Sequence, residues 1–209
     1  MTMGRYPHLL AILFVLLSIW SGFAPVSREV WIAEVIPVLG VFIVLVLSYA
    51  YFRFSNAAYT LMSLWLVMHT IGAHYTFANV PFDFVNDLIG SERNQFDRVA
   101  HYVIGFYAFS MAEWLMRKGY CGLKLAVLFS LFFIMSVAAA YEIIEWQYAV
   151  IEGGEAGIEF LGSQGDIWDA QKDMLADTLG AITSLILFVI IRPYRRMGSG
   201  HDDWRLFSK

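Results

Sequence analysis

Long stretches without a single charge, separated by short charged clusters, constrain this chain more than any other feature. Tyr6 to Ser27 contains no Asp, Glu, Lys or Arg, and Phe54 to Phe82 runs for 29 residues without one. About 20 apolar residues suffice for a helix to cross a bilayer. In lipid every backbone N–H and C=O must find its partner within the protein, so such stretches have to be helices. With 59% hydrophobic and 15% charged residues over 209 positions, the composition excludes an ordinary soluble globule. It fits an all-α polytopic transmembrane bundle without internal repeats or linkers.

The charged clusters divide the chain into six predicted spans. The first runs from about Pro7 to Ala24, with Pro25 near its end. Ser21 to Val26 is a poor cleavage site and more spans follow, which argues against a signal peptide. The second covers Val35 to Phe52, after a short loop holding Arg28, Glu29 and Glu34, with Pro37 in its first turn. The third lies within Phe54 to Phe82, ending in a loop at Ala78 to Phe82. A polar segment, Asp83 to Arg98, precedes the fourth span, Asp97 to Leu115. The fifth covers Leu125 to about Val150, and the sixth ends at Ile191. Residues 1–196 form the membrane domain and 197–209 a polar C-terminal tail.

This division puts Arg5, Arg53, the cluster from Arg117 to Lys124 and the cluster from Arg192 to Arg196 on one side. The positive-inside rule makes that side cytoplasmic, with both termini there. Cys121 is the only cysteine, so no internal disulfide is expected. No phosphate-loop, dinucleotide or nucleic-acid motif is found, and the expected partner is membrane lipid.

Helical rise, at about 1.5 Å per residue, converts these spans into depths. His69 stands about 24 Å from Arg53, His101 about 24 Å from Arg117, and Asp177 about 22 Å from Arg192. Glu142, Asp173, Asp97, Glu145 and His74 come out at roughly 27 to 31 Å. Four helices therefore carry His or acid side chains into one layer near the outer boundary. Asp97 and His101, at i, i+4, share a face, as do Glu142 and Glu145 at i, i+3. Asp166, Asp169, Asp173 and Asp177 fall within about 80° of one another on a helix. Small residues continue near that stripe at Ala176, Gly180 and Ser184, which suits close packing in lipid.

Each group has a plain structural explanation beside the functional one. A lone His in a span is often a packing residue. Acids near a helix start are favoured by the dipole, and Glu113 pairs with Arg117 at i, i+4. Asp177 fits such explanations badly because it sits among apolar residues, and intramembrane acids are expensive and usually functional. Asp97, His101, Glu142, Asp173 and Asp177 are the candidate catalytic residues. His69, His101, Asp97, Asp173 and Asp177 are the candidate ligands of a divalent metal.

The motifs His69-Thr-Ile-Gly-Ala-His-Tyr-Thr, Arg93-Asn-Gln-Phe-Asp-Arg-Val-Ala-His101, Tyr141-Glu-Ile-Ile-Glu-Trp146 and Leu161-Gly-Ser-Gln-Gly-Asp-Ile-Trp-Asp-Ala-Gln-Lys-Asp-Met174 together resemble the YjdF-type family of bacterial inner-membrane proteins. The resemblance spans nearly the whole chain and implies membrane and class, since that family has no assigned chemistry. A weaker similarity is to VanZ-like membrane proteins, through Asp97, Arg98 and His101 and through Glu142, Glu145 and Asp173. Position 145 is Glu where Gln is common. This second resemblance implies a cell-envelope lipid or glycan as substrate.

Three functions are compatible with these readings. One is an intramembrane metal-dependent enzyme, its ligands those zinc and its neighbours use. Another is a proton- or cation-linked transporter. The third is a non-catalytic envelope protein whose polar layer serves as hydrogen-bonded glue.

Overall fold

In the computed structural model, which describes residues 5–196, every regular element is a helix. The predicted tail, 197–209, lies outside the described residues. In chain order the helices are α1 (Tyr6–Ser21), α2 (Arg28–Ser48), α3 (Asn56–Tyr75), α4 (Asp83–Ile89), α5 (Phe96–Ile104), α6 (Tyr107–Arg117), α7 (Leu123–Glu152), α8 (Gly154–Leu161), α9 (Asp169–Ile191) and α10 (Pro193–Arg196).

Local chemistry sets several of these limits. Ser27 caps α2 by accepting the Val30 N–H, and Ser55 caps α3 by accepting the Ala58 N–H. Each satisfies one of the donors that a helix start leaves unpaired. The cap at Ser27 starts α2 seven residues before Val35, so Glu34 and Pro37 lie inside the helix rather than at its edge. Between α7 and α8 the chain reverses at Gly153 and Gly154, whose φ angles of 65° and 55° are costly for any residue with a Cβ.

Two expectations from the sequence change shape. The fourth span is not one helix: α5 and α6 are separated by Gly105 and Phe106. Asp166 lies in the turn before α9, not on it, so the acid stripe on that helix begins at Asp169.

Three segments are long and apolar enough to cross a membrane: Arg28–Ser48, Leu123–Glu152 and Asp169–Arg195. α1 is apolar but shorter, and α3 has the length without the same apolar density. Their outer faces are unpaired within the chain, as at Ile36, Val44, Ile143 and Ile186, and face lipid in a membrane-bound chain.

Inside, α3 packs against α1, α2, α5 and α6, while α9 packs against α5, α6 and α7. Between apolar helices lipid offers no contrast in hydrophobicity, so close van der Waals fit must hold them. The buried centre is built accordingly. Ala58, Ala108, Ala112 and Ala181 are fully buried around Phe109 and Phe188, whose rings meet edge to face at 5.3 Å. A second cluster joins Phe14, Val38, Trp65 and Val103 from α1, α2, α3 and α5.

α5 and α9 approach most closely where Gly105 meets Gly180. A Cβ on Gly180 would strike the Tyr102 carbonyl, and one on Gly105 would strike the Asp177 carbonyl and the Ala181 nitrogen. Only hydrogen atoms fit there, so this crossing sets the distance between the helices that carry the site.

Candidate functional site

The crossing brings α5 and α9 together with His101 and Asp177 facing one another. Asp177 is 1% exposed. His101 donates from Nδ1 to Asp177 Oδ2 at 3.3 Å, since a carboxylate can only accept. Its Nε2 lies 3.7 Å from Asp97 Oδ1, too far for a hydrogen bond. The i, i+4 spacing on α5 produces that proximity. Oxygen and nitrogen atoms of Asp97, His101 and Asp173 lie within 4.8 Å of one another.

Two arginines hold the upper part of the stripe. Arg98 reaches Asp169 Oδ1 at 2.6 Å and Asp173 Oδ1 at 3.2 Å. Arg93 also reaches Asp169 Oδ1 at 2.6 Å and donates to the Ser163 carbonyl at 2.8 Å. Arg98 therefore meets the acids of α9. Asp166 sits at the rim of this network. The Lys172 ammonium at 2.6 Å and the Trp168 N–H hold its carboxyl below the usual carboxylate range.

The network leaves some oxygens over. Asp177 Oδ1 and Glu142 Oε1 are buried with no hydrogen-bond partner among the described residues. Asp173 Oδ1 has the Arg98 ion pair but no hydrogen bond of good geometry. Buried polar atoms are paired in most proteins, so each such atom calls for a physical reason.

His69 is not part of this group. Its Nε2 stands 3.0 Å from the Glu34 carbonyl and 3.1 Å from Glu34 Oε2, both acceptors, so Nε2 carries the proton. Tyr141 donates to the same carboxylate at 3.1 Å. Pro37, three residues on, has no N–H and thins the hydrogen bonding of this turn. His74 points elsewhere, to the Ser21 carbonyl at 2.9 Å and onto the Trp20 ring at 4.4 Å. It ties α3 to α1, as a rim residue would.

The two groups face one cavity of about 70 Å3, room for several waters or a few non-hydrogen atoms. Asp97, His101 and Asp177 line one wall, and Glu34, His69, Tyr141 and Glu145 line the other. α8 contributes Phe160 and Leu161. Glu142 does not line it, although it lies within electrostatic reach of His101 and Asp177.

Sequence reasoning passed over Glu34 and Tyr141 and ranked Glu145 below Glu142. A signal for Glu34 existed. Ser27 followed by Glu29 reads as a helix start, which places Glu34 about 21 Å above Ser48, level with His69. Nothing comparable marked Tyr141, a residue type common at any membrane interface.

Residues 6–193 match the family described as "Predicted membrane protein (DUF2238)". The chain is similar to the inner membrane protein YjdF of Escherichia coli (strain K12), with 32% identity over 193 residues, covering 90% of this chain and 92% of that protein. No solved structure matches it.

Proposed function

The chain belongs to the DUF2238 family of membrane proteins, and from that premise we propose a six-span protein of the bacterial inner membrane with a divalent-metal site near the outer boundary. α1, α2, α3, the α5–α6 pair, α7 and α9 are the six spans. Arg53, Arg117 and Arg192 lie at the end away from the acids, which makes that end cytoplasmic under the positive-inside rule. Both termini then lie in the cytoplasm, and the cavity lies toward the outside.

One observation carries the metal reading. His101 is held through Nδ1–H by Asp177 while Nε2 makes no hydrogen bond and stands 3.7 Å from Asp97 Oδ1, and Asp173 brings an oxygen within 4.8 Å of donor atoms of both residues. Metal-binding histidines characteristically donate their second N–H to a carboxylate, which fixes the tautomer and leaves the other nitrogen free to coordinate. Asp97, His101 and Asp173 would be the ligands and Asp177 the orienting carboxylate. The donors are spread wider than the about 3.3 Å edge of a tetrahedral zinc site, so binding requires side-chain rotation and a partial release of Asp173 from Arg98. A metal there would polarise a substrate oxygen or acidify a bound water. Glu142 is within electrostatic reach of this group but does not line the cavity. The substrate is an envelope lipid or a small envelope metabolite, in line with the VanZ-like motifs.

Metal analysis of the purified protein, after equilibration with divalent ions and desalting, tests this. Stoichiometric metal is expected in the wild type and none in His101→Ala. Asp177→Asn should bind 10- to 100-fold more weakly, about the effect of losing an orienting partner. A folded wild type without metal refutes the reading.

A second reading, proton- or cation-linked transport, draws support from the Glu34–His69–Tyr141 group, which extends the titratable side chains across the cavity. It predicts pH-dependent flux in proteoliposomes without bound metal. A purely structural role predicts neither metal nor flux, with loss of stability as the sole effect of Asp177→Leu.

A further inference from the structure

The charge of the cavity wall restricts what can enter. Glu34, Asp97, Glu145 and Asp177 contribute carboxyls to it, and among the described residues no Lys or Arg lines it. Arg93 and Arg98 stand nearby but are committed to Asp166, Asp169, Asp173 and the Ser163 carbonyl. Two of the wall carboxyls are incompletely matched. Glu145, half-buried, accepts no hydrogen bond among the described residues and lies within electrostatic reach of the His101 imidazole. Asp177, 1% exposed, keeps Oδ1 without a partner. Glu34, by contrast, is satisfied by His69 and Tyr141.

An anion in this cavity would meet like charge at low dielectric, where repulsion is strongest. A neutral ligand would leave the Glu145 carboxyl uncompensated. His69 and His101 also line the cavity, each turned to one of these carboxyls, Glu34 and Asp177; beyond them and Tyr141 the lining is apolar and aromatic, with Trp65, Phe77 and Phe160 beside Ile134 and Val137. A bare metal ion would use the carboxyls alone and gain nothing from the apolar part of the wall. An organic ammonium uses both features: its N–H groups satisfy carboxylate oxygens and its carbon end fills the apolar part. Aromatic faces add cation–π attraction, which strengthens on desolvation.

We propose that this cavity binds a small primary ammonium group, with Glu145 as its counter-ion and Asp177 Oδ1 as a second acceptor. The group comes either from a free amine or from an ethanolamine lipid headgroup. The proposal goes beyond the metal reading and does not depend on it, since Glu145 is no ligand in that set.

The test uses the full-length protein in nanodiscs of phosphatidylglycerol, with EDTA present so that the outcome is independent of metal. Ethanolamine binding is measured by calorimetry against ethylene glycol, its neutral counterpart of similar size. Ethanolamine should bind at least tenfold more tightly, and Glu145→Gln, which keeps the volume, should abolish the difference. Repeating the titration in phosphatidylethanolamine nanodiscs separates the sources. A tenfold loss of apparent affinity there assigns the site to the headgroup, and unchanged affinity assigns it to a free amine. Equal binding of the two probes by the wild type overturns the proposal. So does an absence of ethanolamine binding in phosphatidylglycerol discs, or its full retention by a folded Glu145→Gln.

Discussion

Gly180→Ala should destabilise the protein, against the usual direction of such a change in a helix. Replacing a helical Gly by Ala gains about 1 kcal/mol in propensity. At position 180 the new methyl strikes the Tyr102 carbonyl and approaches the Gly105 Cα. Both are backbone, so no rotamer change relieves the clash and α5 must move away from α9. Overpacking costs about 1 to 3 kcal/mol, and an obstruction by backbone belongs at the top of that range. The net expectation is a loss of about 2 kcal/mol. Gly40 supplies the control, because it lies inside α2 with open space around its Cβ position. Gly40→Ala should keep the propensity gain of up to about 1 kcal/mol, so the two variants differ by about 3 kcal/mol in sign and size. Melting in detergent, followed by tryptophan fluorescence, measures both. The same crossing sets the His101–Asp177 distance, so Gly180→Ala should also weaken metal binding while Gly40→Ala leaves it intact. A Gly180→Ala protein as stable as wild type would refute the claim that backbone contact at this crossing fixes the site.

Glu113 is fully buried and accepts from the Ser55 N–H at 2.8 Å, the Ser55 hydroxyl at 2.7 Å and Arg117 at 2.7 Å. Glu113→Ala strands those donors and should cost about 3 kcal/mol or more in the same melting assay, with Glu113→Gln less harmful. His74→Ala removes one hydrogen bond and the contacts with the Trp20 and Tyr75 rings and should cost about 1 to 2 kcal/mol; metal content should not change, unlike in His101→Ala. Reporter fusions at Gly90 and Gly154 should face outward, and a fusion after Lys209 inward, since a cytoplasmic Gly154 is incompatible with the six-span arrangement. Because Lys172 holds the Asp166 carboxyl low, their pair is present at neutral pH and is lost only as pH falls through that depressed value. Asp166→Asn should thus differ slightly from wild type in neutral buffer and converge with it in strong acid, as thermal melts across pH would report.

The pairing of Asp97 with His101, and of Asp173 with Asp177, was legible because a helix repeats every 3.6 residues and residues three or four apart must share a face. The matching heights of these residues along neighbouring helices were legible for the same reason, since rise per residue is constant. Glu34 was less so, because it sits beside Arg28 and Glu29 in a stretch that reads as a loop until Ser27 is recognised as a cap. Glu142 and Glu145 are on one helix with the same spacing rules, and only the position of α8 and of the α5–α9 pair decides which lines the cavity.

What the sequence determined by itself was the class of solution. Uncharged stretches of this length in a chain this apolar must be helices, and a membrane must receive them, because backbone groups in hydrocarbon have no water to bond. It also determined which residues could not be left in lipid. The tertiary structure decided who satisfies whom. His69 went to Glu34 and Tyr141 rather than to the α9 acids, Arg98 was turned onto Asp169 and Asp173, and His101 was fixed by Asp177. Those choices depend on helix neighbours and on the separation of their axes, set here by Gly105 against Gly180. Helical periodicity reports the face of a residue and its height, but carries no information about which other helix stands opposite.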